Sequence, residues 1–95
     1  MLMLTGAAVT AIRNLVYQPD VPYGSGVRIA PHSDDESLLA LTPSPLPAAS
    51  DEVLETEGAR VFLAPTAVGF LTGKVLDARV DEQGEVRFLI NAPSR

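Results

Sequence analysis

Prolines and glycines interrupt this chain so often that only short helices and strands fit between them. The 95 residues include eight prolines and seven glycines. Proline removes a backbone donor and glycine weakens regular structure, so both divide the chain into short segments. No apolar run approaches the roughly 20 residues that a membrane-spanning helix needs. The length suits one domain, residues 1–95, with no internal repeat.

The first element is predicted to be a helix. Thr5 is a good N-cap residue, and Pro19 ends the helical pattern. Leu2 and Leu4, just before the cap, are expected to pair as a short strand or to pack against the helix. One apolar stripe follows the helical period, formed by Ala8, Ile12, Leu15 and Val16.

Strands are predicted to follow at 27–30, 38–42, 52–55 and 60–63. Two loops are predicted, one at 18–25 before the first of these strands and one at 43–51 between the second and the third. The second loop carries prolines at alternate positions, which cannot donate to a central sheet ladder, so an extended surface connection is expected.

A short second helix and a hairpin complete the predicted order. Pro65 suits the first turn of a helix that ends before Gly73. Residues 74–80 and 85–90 form the arms of the hairpin, and Gly84 indicates a type I turn with a bulge. Few helices and consecutive strands predict the α+β class, with mixed or antiparallel sheets.

The apolar positions that repeat at the helix or strand period predict one core. Its expected members are Ala8, Ile12, Leu15, Val27, Ile29, Val61, Leu63, Leu76, Phe88 and Ile90.

Composition excludes several kinds of chemistry. The chain has no cysteine and a single histidine, so it offers neither thiolate ligands nor a site made of several histidines. The net charge is −5, and no basic stripe offsets it, so nucleic acid is not an expected partner. The N-terminus lacks the basic flank of a signal peptide, and a soluble cytoplasmic protein with no membrane partner is expected.

One acidic run is a candidate metal site. His32, Asp34, Asp35 and Glu36 place an imidazole and three carboxylates within five residues, which could meet a hard divalent cation. A solvated loop between two strands explains the same run, because nothing in the spacing directs these side chains to one side.

Other candidate catalytic residues fit structural roles better. Asp51–Glu52 and the acids at 55 and 57 could act as paired carboxylates, but such pairs need burial and this stretch looks exposed. No nucleophile elbow is present, and His32 is the one imidazole that a hydrolytic triad could use. An enzyme is therefore not expected.

Two tyrosines bracket the first loop. Tyr17 and Tyr23 could mark an interaction surface. More commonly such tyrosines cover a core and keep their hydroxyls in water, which is the favoured interpretation from sequence.

The order of the short motifs resembles the A-type iron–sulfur carrier family, the HesB/IscA-like proteins. The similar segments span nearly the whole chain: Leu4-Thr5 with Ala8 and Ala11-Ile12-Arg13, Gly26-Val27-Arg28-Ile29, Asp51-Glu52-Val53 through Gly58 to Leu63, Ala64-Pro65 with Phe70 to Gly73 and Val75-Leu76-Asp77, and Gly84 to Phe88 with Asn91 and Pro93. The resemblance implies the HesB-like α+β fold.

The chain departs from that family at its ligands. The resemblance implies one cysteine after the first core strand and a Cys-Gly-Cys pair near the C-terminus. Here the first position falls within 32–37, which holds no cysteine, and the chain ends at Arg95 before such a pair. We therefore expect no bound cofactor and no carrier activity, since thiolates are the soft ligands that hold these clusters.

The resemblance, with its departures, implies an interaction or scaffold protein. It would be non-catalytic, a monomer or homodimer, and its protein partners could belong to iron–sulfur cluster biogenesis. The alternative is a weak binder of hard divalent cations through the run at 32–36.

Replacing Asp34, Asp35 and Glu36 together with serine separates these two alternatives. If the run is solvated surface, the free energy of unfolding should change by no more than about 0.5 kcal/mol, and millimolar Mg²⁺, Mn²⁺ or Fe²⁺ should not move the Tm. Thermal melts of wild type and variant, with and without metal, provide the measurement. A metal-dependent rise in Tm that the triple variant loses would establish the cation site.

Overall fold

The computed structural model describes residues 2–31 and 39–92. Seven strands and two helices occur there, in the order β1 (Met3–Leu4), α1 (Gly6–Val16), β2 (Gly26–Pro31), β3 (Leu39–Ser44), β4 (Glu52–Thr56), β5 (Ala59–Leu63), α2 (Pro65–Leu71), β6 (Val75–Val80) and β7 (Val86–Asn91). This order confirms the predicted α+β class, with one N-terminal helix and one short helix.

The strands form two small sheets. The three-stranded sheet has the order β1-β6-β7, and the four-stranded sheet has the order β3-β2-β5-β4. The pairs β1–β6 and β2–β5 are parallel, whereas the other three pairs are antiparallel. Both sheets are therefore mixed, one of the two arrangements that the sequence allowed. Helix α1 packs against β6 and β5, and α2 packs against β2.

The cap of α1 also attaches the helix to the three-stranded sheet. The backbone N–H of Ala8 donates to Thr5 Oγ1 at 3.1 Å, which confirms Thr5 as the N-cap. The same hydroxyl donates to Asp77 Oδ1 at 2.7 Å, and the Thr5 N–H donates to the Leu76 carbonyl. The hydrogen bond from Thr5, followed by that from the Ala78 N–H, lowers the pKa of the Asp77 carboxyl.

Leu4 forms the short strand that the sequence allowed as one alternative, and Leu2 lies just before it. Leu4 lies in β1 and pairs in parallel with Leu76 of β6, while the Leu2 side chain is buried in the core. The strand at the N-terminus therefore continues directly into the cap of α1 and fixes where that helix starts.

The core contains most of the predicted residues. Seven of them are buried: Ala8, Ile12, Val27, Ile29, Val61, Leu63 and Leu76. Phe88 and Ile90 are only partly buried, although both pack against the core. Leu15 was wrongly included, because it is 37% exposed. Helix α1 instead buries Val9 and Ala11 beside the predicted stripe, so the buried face is turned away from Leu15.

Phe62 shows that β5 is covered on both faces of the four-stranded sheet. Val61 and Leu63 point into the core, so alternation directs Phe62 to the other face, and yet its side chain is fully buried. Its cross-strand neighbours are Arg28 and Val53. The alternating pattern of β5 predicts one buried face, so it could not identify Phe62 as a core residue. The residues that shield Phe62 from solvent belong to other segments of the chain.

The proline-rich segment begins later than the sequence predicted. Pro43 and Ser44, assigned to the loop at 43–51, belong to β3 and pair with Val27 and Gly26. The reasoning about proline still applies, because β3 is an outer strand of the sheet. An outer strand has one side without a partner strand, so the missing donor costs no ladder hydrogen bond.

Glycines lie where the backbone requires them. Gly73 and Gly84 have φ of 79° and 84°, as predicted for the end of α2 and the hairpin turn. The β4–β5 turn places both Glu57 (φ 50°) and Gly58 (φ 89°) in the left-handed region, the geometry of a two-residue hairpin turn. In the described residues, neither helix is long and apolar enough to cross a membrane.

Because Phe62 is buried and Leu15 is exposed, replacing each with alanine should change the free energy of unfolding by very different amounts. Phe62→Ala should lower the free energy of unfolding by about 3–5 kcal/mol, since it removes a fully enclosed ring. Leu15→Ala should cost about 1 kcal/mol or less, because the side chain already meets water. Urea unfolding of both variants and wild type checks the pair, and Phe62→Leu extends it should Phe62→Ala fail to fold. Equal losses in the two alanine variants would contradict this assignment of burial.

Candidate functional site

The residues of the predicted metal site, His32, Asp34, Asp35 and Glu36, lie outside the described residues. The segment that contains them joins the end of β2 at Pro31 to the start of β3 at Leu39. Over 2–31 and 39–92, no group of three or more histidine, cysteine, aspartate or glutamate side chains could hold a metal ion.

The carboxylate pair at Asp51–Glu52 does not have the exposed setting that the sequence suggested. Glu52 is exposed, but the Asp51 side chain is fully buried and accepts two hydrogen bonds from Arg28. The Arg28 Nε and Nη2 atoms lie 2.7 and 2.9 Å from Asp51 Oδ2 and Oδ1, and the Ala48 N–H also donates to Oδ2. The bond from Arg28 lowers the pKa of the Asp51 carboxyl, and the bond from Ala48 adds to this effect.

This ion pair is structural. A carboxylate whose pKa is lowered and whose oxygens are both occupied cannot readily take or give a proton, so it is a poor acid–base catalyst. Arg28 points to the same face of the sheet as Phe62, its neighbour in the parallel β2–β5 pair. The ion pair therefore holds the segment before β4 against the second face of the sheet.

The two tyrosines lie on the surface at the end of the β2–β5 pair where both strands begin, opposite to Pro31. Tyr17 follows α1 and is 58% exposed, and Tyr23 precedes β2 and is completely exposed. The interpretation of these rings as covers of the core is therefore wrong. Exposed tyrosines favour the alternative, an interaction surface, because an aromatic ring with a polar tip is enriched where proteins bind each other.

Tyr17 is held in place by its neighbours. Its hydroxyl donates to the Gly58 carbonyl at 3.0 Å, and the Arg13 guanidinium lies 5.6 Å from the centre of its ring. Gly58 is required for this approach, because a Cβ at that position would lie 2.9 Å from the Tyr17 hydroxyl. The end of α1 and the β4–β5 turn are thus joined through one ring.

Two adjoining depressions lie beside the tyrosines. The larger, of about 380 Å³, is lined by Val16, Tyr17, Gln18, Val21, Tyr23, Gly24 and Ser25. The smaller shares Tyr17, Tyr23, Gly24 and Ser25 and adds Glu55, Gly58 and Arg60. We call this region, centred on Tyr17, Tyr23 and Arg60, the tyrosine surface.

Arg60 was not identified from sequence. Its Nε atom is buried without a hydrogen-bond partner, and the residue lines the smaller depression together with both tyrosines. In the sequence, an arginine in a short strand next to an acidic turn resembles an ordinary solvated residue, so no local signal could have singled it out. Tyrosine and arginine together are the residue types that most often contribute strongly to protein–protein binding.

The tyrosine surface offers contact chemistry and no catalytic pair. The Ser25 hydroxyl donates to the Pro22 carbonyl, and no histidine is among the described residues. A serine nucleophile donates its hydroxyl proton to a neighbouring base, whereas the Ser25 hydroxyl is engaged with a backbone carbonyl.

The chain matches solved structures over nearly all of its length. It is 30% identical to Escherichia coli SufA, a protein involved in biosynthesis of iron–sulfur clusters, with a TM-score of 0.77, covering 97% of this chain and 85% of SufA. A protein from Aquifex aeolicus is 25% identical, with a TM-score of 0.73, and the match covers 97% and 91% of the two chains. IscA with a [2Fe-2S] cluster shares the fold at 22% identity and a TM-score of 0.64, with 98% and 83% covered.

In sequence alone, the chain matches no protein-family model and no curated protein. The similarity to SufA and to the A. aeolicus protein is therefore clearest when the structures are compared.

The contact between Tyr17 and Gly58 predicts a non-additive pair of substitutions. Gly58→Ala should destabilise the protein, because it adds about 1–2 kcal/mol of left-handed strain and a clash with the Tyr17 hydroxyl. In a Tyr17→Phe background the same change should cost less, since the clashing oxygen is gone. A double-mutant cycle by urea unfolding measures this coupling. Costs that add to within about 0.3–0.5 kcal/mol would show that the hydroxyl does not restrict this turn.

Proposed function

This chain belongs to the A-type iron–sulfur carrier family, and on that premise we propose that it acts in iron–sulfur cluster assembly as a non-catalytic interaction module rather than as a cluster carrier. The observation that carries the proposal is the pairing of the family's fold with donor chemistry unsuited to a cluster. The tyrosine surface supports the interaction role.

The donor set does not fit an iron–sulfur cluster. None of the 95 residues is a cysteine, and thiolates are the ligands that hold such clusters. The connection between β2 and β3, where the family resemblance implies the first cysteine, carries one histidine and several hard carboxylates instead. Hard oxygen ligands suit Mg²⁺, Ca²⁺ or Mn²⁺ better than a sulfide-bridged iron centre.

The tyrosine surface has the composition of a binding surface. It combines two exposed tyrosines with arginines at 13 and 60, residue types that are enriched at protein interfaces. Tyr17 is already restrained by the Gly58 carbonyl and by Arg13, so ordering it on binding costs little entropy. The surface lies at the end of the β2–β5 pair opposite to Pro31, where β2 ends.

Anaerobic reconstitution tests the loss of carrier activity. The purified protein, incubated with iron and sulfide alongside SufA, should show no visible absorption after desalting and no stoichiometric acid-labile sulfide. The reason is the absence of thiolate donors. A visible band that co-elutes with this chain at stoichiometric sulfide would refute the proposal, whatever its partners are.

Quantitative affinity capture tests the interaction role. Wild type should enrich proteins of iron–sulfur cluster assembly, and Tyr23→Ser should lose most of that enrichment because Tyr23 is completely exposed at the centre of the surface. Phe70→Ser is a matched control, since Phe70 is 57% exposed and lies away from the tyrosine surface. It belongs to α2, which follows the end of β5, whereas the tyrosine surface lies where β5 begins. Failure to enrich such proteins, or equal losses from both variants, would count against the proposal.

A further inference from the structure

Arg60 is a half-buried cation without a partner in the part of the chain that the structure describes. Other basic side chains there have one. Arg28 and Arg87 form ion pairs with carboxylates, and Arg13 and Lys74 each lie over an aromatic ring. The charge of Arg60 is therefore available to a group from outside the chain.

The neighbours of Arg60 do not neutralise its guanidinium. The Nε atom is shielded from solvent and has no hydrogen-bond acceptor. Glu55 lies opposite Arg60 in the antiparallel β4–β5 pair and lines the same depression, but the ion pairs of the described residues do not include it. A cation that is partly removed from water without a partner is costly, so an incoming acceptor gains a charge-assisted hydrogen bond there.

The Nη end of the Arg60 guanidinium lies beside Gly24. A Cβ at that position would lie 3.6 Å from Arg60 Nη1, so a side chain there would cover part of this nitrogen. Gly24 and Arg60 both line the smaller depression, whose volume is about 40 Å³. This is little more than the roughly 30 Å³ that one water molecule occupies in the liquid. The depression therefore has room for one small polar group at the Nη end of Arg60.

A carboxylate matches this position in charge, size and shape. Two parallel N–H donors of a guanidinium meet the two oxygens of a carboxylate in one plane. A tetrahedral phosphate is bulkier and suits so small a space less well. The whole chain carries a net charge of −5, so the attraction for an acidic group is local to Arg60 and selects one carboxylate rather than a strongly acidic surface.

The larger depression supplies an apolar contact beside this position. Val16 and Val21 line it together with Tyr17 and Tyr23, and the two tyrosines also line the smaller depression. One short segment can therefore place an apolar side chain in the first and an acidic side chain in the second. In an extended segment, residues i and i+2 point to the same side and lie roughly 6.6 Å apart, so leucine and glutamate at this spacing form a suitable pair.

We propose that the tyrosine surface binds an extended segment of a partner protein that carries an acidic side chain. Its carboxylate pairs with the Nη end of Arg60, and an apolar side chain two residues away packs against Tyr17 and Tyr23. The inference rests on the proposed interaction role, because it names the chemistry of the partner at that same surface. Arg60 is the residue that selects an acidic partner.

Two capped peptides test the carboxylate on the wild-type protein. Acetyl-Leu-Ser-Glu-amide and acetyl-Leu-Ser-Gln-amide differ only in the acidic group, and neither has a free C-terminal carboxylate. Nitrogen–proton NMR titration follows the Nε–H signal of Arg60, which its shielding from solvent protects from exchange. The acidic peptide should move this signal and bind about tenfold more tightly than the amide, the effect of one charge-assisted contact.

Substitutions assign the effect to Arg60, with the backbone N–H signals of Gly24 and Gly58 as the readout. Arg60→Gln should weaken binding of the acidic peptide by about tenfold and leave the amide peptide unchanged. Arg79→Gln is the matched control, because Arg79 is exposed in β6 and lines neither depression. Glu55→Gln should tighten binding of the acidic peptide by about twofold or more, since it removes a like charge from the depression. Circular dichroism confirms the fold of each variant.

Several results would overturn this inference. One is equal affinity of the two peptides for wild type, which needs no variant to fold, and another is the absence of any shift at tens of millimolar of either peptide. A folded Arg60→Gln variant that binds the acidic peptide as tightly as wild type does so too. Inorganic phosphate is the third probe, and a response as strong as that to the acidic peptide would indicate a general anion site instead.

The proposed function fails by different measurements. A cluster bound to this chain, or a wild type that enriches no proteins of cluster assembly, refutes that function whatever Arg60 binds. Affinity capture with both surface variants separates the two claims. Loss of enrichment in Tyr23→Ser but not in Arg60→Gln would keep the interaction role and reject the acidic partner, whereas loss in both, with Arg79→Gln unaffected, supports the two together.

Discussion

The hydroxyl of Thr5 joins the beginning of this chain to its last third. It accepts from the Ala8 N–H at the start of α1 and donates to Asp77 in β6, 72 residues away in sequence. The parallel pairing of β1 with β6 lies directly beside it. Helix α1 packs against β6 of this sheet and buries Ile12, so the hydrogen bonds of Thr5 lie where the helix meets the sheet.

The four-stranded sheet has two ends with different surroundings. The connection at 32–38 leaves one end of the parallel β2–β5 pair, and the tyrosine surface lies at the other end. Gly26 allows the close approach at the tyrosine end, because a Cβ there would meet the Arg60 carbonyl oxygen at 2.5 Å.

Several structural features could be predicted from local sequence signals. The Thr5 cap, the Pro65 start of α2 and the left-handed glycines at 73 and 84 each follow from the chemistry of one residue. The candidate site was predictable only in part. The two tyrosines were visible as loop aromatics, whereas Arg60 is notable solely because the β4–β5 turn and the first loop converge on it.

By itself, the sequence determined the class of fold, the positions of most short elements and the absence of thiolate chemistry, because these depend on residue type and on periodicity along one segment. Tertiary structure decided what each segment faces. Phe62 is buried and Leu15 exposed because the cover of a strand or helix comes from distant segments. Asp51 became an ion-pair partner of Arg28 rather than a solvated acid for the same reason. Burial and pairing are properties of packed surfaces, which a single segment does not encode.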